Sequence, residues 1–185
     1  MIAIIDYGVG NLFSLRSSFA AIGVEAFVSG DASELAKADR LILPGVGAFG
    51  DAAEKLRQSG LDAFVREQAA SGKPLMGICL GMQMLFEKSY EYGEHEGLGL
   101  IPGQVCPLAD DIAPGLKVPH IGWNALHFTK KHPIFRYVDE GAYVYFVHSY
   151  QAFCDDENIV AYADYDGKIP ALITDGGYVF GAQFH

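Results

Sequence analysis

At 185 residues the chain can bury one sizeable core but is short for two ordinary domains. Half of its residues are hydrophobic and its net charge is −10, which disfavours a polyanionic partner; the nearest thing to a basic stripe is Lys130 beside Lys131, so no nucleic acid is expected. Three widely spaced cysteines fit neither a disulfide framework nor a zinc site. With no secretory signal in the opening residues and no apolar run of membrane-spanning length, a cytoplasmic protein with reduced thiols is expected.

In chain order, residues 2–7 read as a buried strand, and Leu12, Leu15, Phe19 and Ile22 mark one face of a helix ending at Gly23. Strands are expected at 24–28 and 41–43. Helices are expected at 51–58 and 61–70 with Gly60 between them, then a buried strand at 74–78 and a helix from 80 to 87. This alternation predicts right-handed crossovers and a largely parallel sheet. The second half differs: 104–108, 116–123, 143–148, 159–165, 171–174 and 178–184 all read as extended, and Thr174-Asp175-Gly176-Gly177 is a hairpin signal. The expected fold is an α/β, flavodoxin-like or Rossmann-like open sheet. It is mainly parallel, carries helices on both faces and has an added mixed or antiparallel portion, all within one domain over 1–185.

Gly77-Ile78-Cys79-Leu80-Gly81 joins the buried strand to the helix and is a cysteine version of the G-x-S-x-G nucleophile elbow. Glycines two places either side of the apex remove side chains that would collide in so sharp a turn. Cys79 is then presented at the carboxyl end of the sheet, where open α/β folds place their sites. It also stands at a helix N-terminus, where free N–H groups favour a thiolate. A free cysteine taken alone is most often a small buried hydrophobe, and Cys106, in an apolar stretch before Pro107, fits that description. Cys154 precedes Asp155, Asp156 and Glu157, whose charges disfavour a thiolate.

Acyl transfer at a cysteine also needs donors for the developing oxyanion. The N–H of Leu80, next to the nucleophile, is one. Pro44-Gly45-Val46-Gly47, directly after the strand at 41–43, offers others, since Gly45 and Gly47 permit close approach and unusual dihedral angles. Of six histidines none is spaced for a metal. His185, ending the extended run Gly181-Ala182-Gln183-Phe184, is positioned to reach the rim that holds Cys79; His148, ending 143–147, is the alternative base.

Together G-I-C-L-G-M-Q, P-G-V-G and the terminal G-A-Q-F-H resemble, in order, the nucleophile, oxyanion and histidine motifs of the class I (triad) glutamine amidotransferase family. The resemblance implies glutamine hydrolysis with Cys79 as nucleophile and His185 as general base and acid, and no cofactor or metal. It places Gly47, Gln83 and Glu91, with backbone of Ser149 and Tyr150, around glutamine. D-Y-G-V-G-N-L, E-G-L-G-L-I-P-G, P-H-I-G-W-N and Y-F-V-H-S-Y are similar to the branch of the family that serves histidine biosynthesis and passes ammonia to a separate (β/α)8-barrel cyclase subunit. In that branch Asn11, Trp123, Tyr145 and His148 fall on the cyclase-facing side, and rotation of a peptide in the two-glycine loop would switch an oxyanion donor in or out.

An amidotransferase subunit for another acceptor, as in pyridoxal phosphate synthesis, shares the elbow but is a poorer match at P-H-I-G-W-N. A non-catalytic flavodoxin-like binding module would leave the elbow unexplained, and Gly8-Val9-Gly10 is not a full dinucleotide fingerprint. In the resembling family a proline and then an orienting glutamate follow the histidine. The sequence ends at His185, so a short tail bearing that acid is expected beyond it, and the 185-residue chain alone is expected to turn over slowly.

Overall fold

A computed structural model describes residues 1–185. The first half runs β1 (Ile2–Ile5), α1 (Leu12–Ala21), β2 (Ala26–Ser29), α2 (Ala32–Leu35), β3 (Arg40–Leu43), α3 (Phe49–Gln58), α4 (Leu61–Ala70), β4 (Leu75–Ile78) and α5 (Leu80–Gln83). The second half is built of strands: β5 (Lys88–Ser89), β6 (His95–Glu96), β7 (Gln104–Pro107), β8 (His120–Ala125), β9 (His127–Phe128), β10 (Tyr143–His148), β11 (Tyr150–Phe153), β12 (Ile159–Asp164), β13 (Lys168–Thr174) and β14 (Val179–Ala182).

Eight strands form the main sheet in the order β2-β1-β3-β4-β14-β13-β12-β9. The first five are mutually parallel, and β13, β12 and β9 continue antiparallel. The expected mainly parallel α/β sheet with an antiparallel extension is thus present. The hairpin expected at Thr174 joins β13 to β14, with the Asp175 carboxylate accepting from Gly177 and Val179 N–H. Two smaller sheets stand beside it, an antiparallel β8–β10 ribbon and the order β11-β7-β5-β6.

Buried apolar residues fall into two clusters. The larger includes Ile5, Leu43, Phe49, Leu56, Val65 and Phe86 beneath α3 and α4; the smaller gathers Leu126, Phe146, Val160 and Leu172 around the antiparallel strands. Helix α3 earns its place by an apolar face of Phe49, Ala52, Ala53 and Leu56, all buried. Helix α1 turns its expected face inward, Leu12, Leu15 and Phe19 being its only partly buried residues, but none is fully buried and Ile22, just past its end, is 71% exposed. A groove of about 500 Å³, lined in part by Ser14, Leu15, Met76 and Phe184, lies along it.

Two other expectations differ for local reasons. The helix read from 80 to 87 stops at Gln83 because carbonyls that would extend it are taken from outside: Leu98 N donates to Met84, Leu100 and Ile101 N to Leu85, and Gly99 N to Phe86. The strand read over 116–123 begins only at His120, where pairing with His148 starts, and Leu116 and Val118 before it remain exposed. No helix is long and apolar enough to cross a membrane.

Candidate active site

The parallel strands β3, β4 and β14 end side by side, and their carboxyl ends carry the three segments singled out in the sequence. Cys79 follows β4 directly with φ 55° and ψ −113°, a conformation that costs a non-glycine residue about 1–3 kcal/mol. Its N–H is anchored to the Ala182 carbonyl of β14 at 2.7 Å. The flanking glycines are needed as the elbow reading requires. A Cβ on Gly77 would lie 2.4 Å from the Gly81 carbonyl oxygen, and one on Gly81 would lie 2.0 Å from that of Leu43. Gly45 is confined as well, since its Cβ would meet Gly81 N at 2.7 Å.

A cleft of about 350 Å³, in the usual range for small-molecule sites, brings together Cys79, His185, Val46, Gly47 and Leu80 with Gln83, Glu91, Ser149 and Tyr150. Gly45 is the one expected oxyanion residue outside that lining; it faces the adjoining groove and the elbow backbone. The N–H groups of Val46 and Gly47 donate to no protein carbonyl, and Gly47 adopts φ 92°. The N–H of Leu80 faces the Cys79 sulfur. Unpaired backbone donors therefore share the cleft with the Cys79 sulfur.

Electrostatics do not follow the expectation of a thiolate. Burial pushes the Cys79 thiol up to about 11, against the opposing effects of Leu80 N–H and the Gln183 amide. A four-residue helix supplies too little dipole to offset desolvation of a side chain that is only 8% exposed. Cys154 is pushed to about 11 too, by burial and then by Asp155 and Asp156, and Cys106 also rises through burial and Asp110. Geometry alone distinguishes Cys79.

The two candidate bases part company. His185 is exposed at the cleft, its N–H bonded to the Tyr145 carbonyl at 2.9 Å, and partial desolvation lowers its pKa, which leaves a neutral ring able to accept a proton. His148 is buried with both nitrogens engaged: Nδ1 donates to the Tyr150 carbonyl at 2.9 Å and Nε2 faces His120 Nδ1 at 3.0 Å. The ring is committed to holding the Tyr150 backbone.

Glu91 has a structural task beside its place in the cleft. Its Oε2 accepts from Phe49 N at 2.7 Å at the start of α3, and burial raises its pKa more than that bond lowers it. Gln83 donates through Nε2 to the Tyr150 carbonyl and to Gln183 Oε1, so toward a ligand only its own carbonyl oxygen is left. Sequence reasoning missed Gln183, which is fully buried with its amide 3.8 Å from the Cys79 sulfur. Its position beside His185 was visible, its orientation was not.

Among the residues expected to face a partner, Trp123 is 66% exposed and its ring lies 5.7 Å from that of Tyr145 on the paired β8–β10 ribbon. Asn11 is exposed and caps α1 through Ser14 N–H. His148 offers almost no surface; Ile121 and Val147, paired on the same ribbon, are the exposed apolar neighbours.

The sequence profile of the glutamine amidotransferase class-I family matches residues 3–185. The chain belongs to that family. It is 57% identical over 158 residues to "Imidazole glycerol phosphate synthase subunit HisH" of Sulfurimonas denitrificans, covering 85% of this chain and 76% of that protein. It is 49% identical over 185 residues to the protein of the same name from Lactococcus lactis, covering 100% and 89%. Among solved structures, a crystal structure of a glutamine amidotransferase superposes with TM-score 0.77 at 20% identity (100% of this chain, 89% of the other), and the PurLQS structure from Thermotoga maritima with 0.76 at 22% (100% and 86%). These two show the shared fold.

Proposed function

We propose that this chain is the glutaminase subunit of an imidazole glycerol phosphate synthase, acting through Cys79. The observation that carries the reading is the strained elbow. It holds the Cys79 sulfur in one cleft with a free imidazole, unpaired backbone donors and the Glu91 carboxylate. The full-length likeness to subunits of that synthase supports the acceptor pathway.

At neutral pH the resting pair is a thiol and a neutral imidazole, because burial raises Cys79 and lowers His185. As the sulfur attacks the substrate carboxamide carbon, its proton passes to His185, and the oxyanion forms against Leu80 N–H and the Val46–Gly47 loop. His185 returns the proton to the departing nitrogen and ammonia leaves, with a glutamyl thioester on Cys79. Water then attacks the thioester and gives its proton to His185. Glutamate is released and the thiol is restored. Glu91 pairs with the substrate ammonium, and the backbone of Ser149 and Tyr150 borders the substrate.

Ammonia released to bulk water at neutral pH is mostly protonated and lost as a nucleophile. Transfer through a closed interface into a (β/α)8-barrel cyclase subunit, as a cytoplasmic heterodimer with lyase activity, avoids that. The exposed apolar strip of Ile121, Trp123 and Val147, which reaches the cleft at Val147, is the surface such a partner would cover. The test is glutamine hydrolysis by the chain with and without a histidine-pathway cyclase. Hydrolysis that the cyclase raises and Cys79→Ala abolishes is expected. Activity retained by Cys79→Ala would end the nucleophile assignment, and indifference to the cyclase would end the pathway assignment.

A further inference from the structure

A line of amides runs from the backbone of Tyr150 to the Cys79 sulfur. The Tyr150 carbonyl can only accept, so the Gln83 group that meets it at 3.1 Å must be its NH2. That same NH2 donates its second hydrogen to Gln183 at 3.0 Å, so the Gln183 atom there must be oxygen. The far end of the Gln183 amide is consequently an N–H group, and it faces the Cys79 sulfur at 3.8 Å. Both side chains are buried, Gln83 at 5% and Gln183 at 0% exposure, so water does not compete for either. The carbonyl that sets the order is itself held by a second donor, His148 Nδ1.

We propose that Gln183 is a positioning residue for Cys79: it holds an N–H group against the sulfur, in an orientation dictated by the Tyr150 carbonyl through Gln83. The proposal rests on Cys79 being the nucleophile. Its effect is to favour the charged sulfur that forms during attack, in a pocket that otherwise disfavours charge. The contact is long for a hydrogen bond, but it shortens naturally as a thiol becomes a thiolate and a stronger acceptor. The same bond acts in the expected sense on the resting thiol, opposing the effect of burial.

Alkylation of Cys79 by iodoacetamide, followed peptide by peptide by mass spectrometry between pH 7 and 10, separates this role from a merely structural one. Gln183→Met keeps the bulk and removes the donor. Each unit by which the thiol pKa rises should slow alkylation at fixed pH by about threefold, since a tenfold loss of thiolate is partly offset by greater nucleophilicity. Loosened packing would do the opposite, exposing Cys79 and Cys154 and speeding both. Gln183→Glu retains the acceptor for Gln83 but turns a carboxylate toward the sulfur, and should slow Cys79 further. It also serves as the decisive variant should the methionine variant fold poorly. Gln83→Glu, which reverses the amide order with Gln183 still in place, should slow Cys79 as well. Alkylation at Cys79 that is unchanged or faster in the Gln183 variants overturns the proposal, and an unchanged rate in Gln83→Glu overturns the relay. Glutamine hydrolysis surviving Cys79→Ala would instead defeat the nucleophile reading, independently of these rates.

Discussion

His148 ties the stability of this fold to pH in a direction that can be worked from its surroundings. The ring is 6% exposed, and burial, outweighing the bond to Tyr150 and reinforced by the neighbouring His120, pushes its pKa down from 6.5 to about 4. In an unfolded chain it titrates near 6.5. Between those values the unfolded state binds more protons, so stability falls as pH falls from about 6.5 toward 4 and is unaffected by this ring above 6.5. The span of about 2.5 units corresponds to roughly 3.4 kcal/mol, a sizeable part of the 5–15 kcal/mol that holds a domain folded.

One feature pulls the other way. Tyr150 O and Asn124 Oδ1, the latter 2.8 Å from His120 Nε2, both accept, so a fully bonded line through the two rings needs a third proton. A hydrogen bond to a charged group contributes about 1.5–3 kcal/mol, whereas desolvating an imidazolium costs several. Burial prevails, so at neutral pH the two rings share two protons among the three contacts. The assay is urea unfolding from pH 7.5 to 4.5 for the wild type and His148→Asn, with the ring titrated by NMR in the folded protein. The wild type should lose up to about 1.4 kcal/mol more per pH unit than the variant below 6.5. A His148 ring that titrates at or above 6.5, or equal slopes for the two proteins, refutes the reasoning.

Three further outcomes follow from the glycine contacts and from Glu91. Gly81→Ala would force a Cβ to 2.0 Å from the Leu43 backbone, which cannot yield, and should cost about 3 kcal/mol or more in urea unfolding. Gly8→Ala, left-handed but with open space around it, should cost only about 1–2 kcal/mol. Glu91→Gln keeps an oxygen for Phe49 N–H while removing the charge. It should raise KM for glutamine about tenfold or more at little change in kcat, with stability altered by less than about 1 kcal/mol; an unchanged KM would remove Glu91 from the ammonium site.

What could be read in advance follows the range of the forces involved. The elbow was legible because its demands are local: Gly77 and Gly81 are required by contacts across one turn and to the adjacent strand. The parallel sheet was legible because buried strands show as short apolar runs separated by amphipathic helices such as α3. Glu91 was visible only through family resemblance, since nothing nearby in sequence reveals that its carboxylate meets the start of α3, 42 residues earlier. The early end of α5 was hidden for the same reason, as the chain at 98–101 returns to claim its carbonyls. His148 illustrates the limit most sharply. Its strand was correctly read, but which face of the β8–β10 ribbon turns inward depends on pairing, and pairing buried His148 while exposing Val147.

That pairing also explains how one peptide serves two parts of the cleft. The Tyr150 carbonyl accepts from His148 on one side and from Gln83 on the other. It thereby fixes the tautomer of a buried histidine and, two amides away, the group presented to the Cys79 sulfur. Adjacent Ser149 and Tyr150 line the cleft, and β10, ending at His148, carries Val147 on the exposed apolar ribbon. A partner that presses on that ribbon acts on a strand joined by one residue to the carbonyl that orders the amides. On the proposed relay, a shift of Tyr150 relative to Gln83 would alter the amide group presented to the Cys79 sulfur, whose thiol burial keeps protonated at neutral pH. The short covalent link between ribbon and carbonyl is thus a physical route by which pressure on the apolar surface would be felt at the Cys79 sulfur.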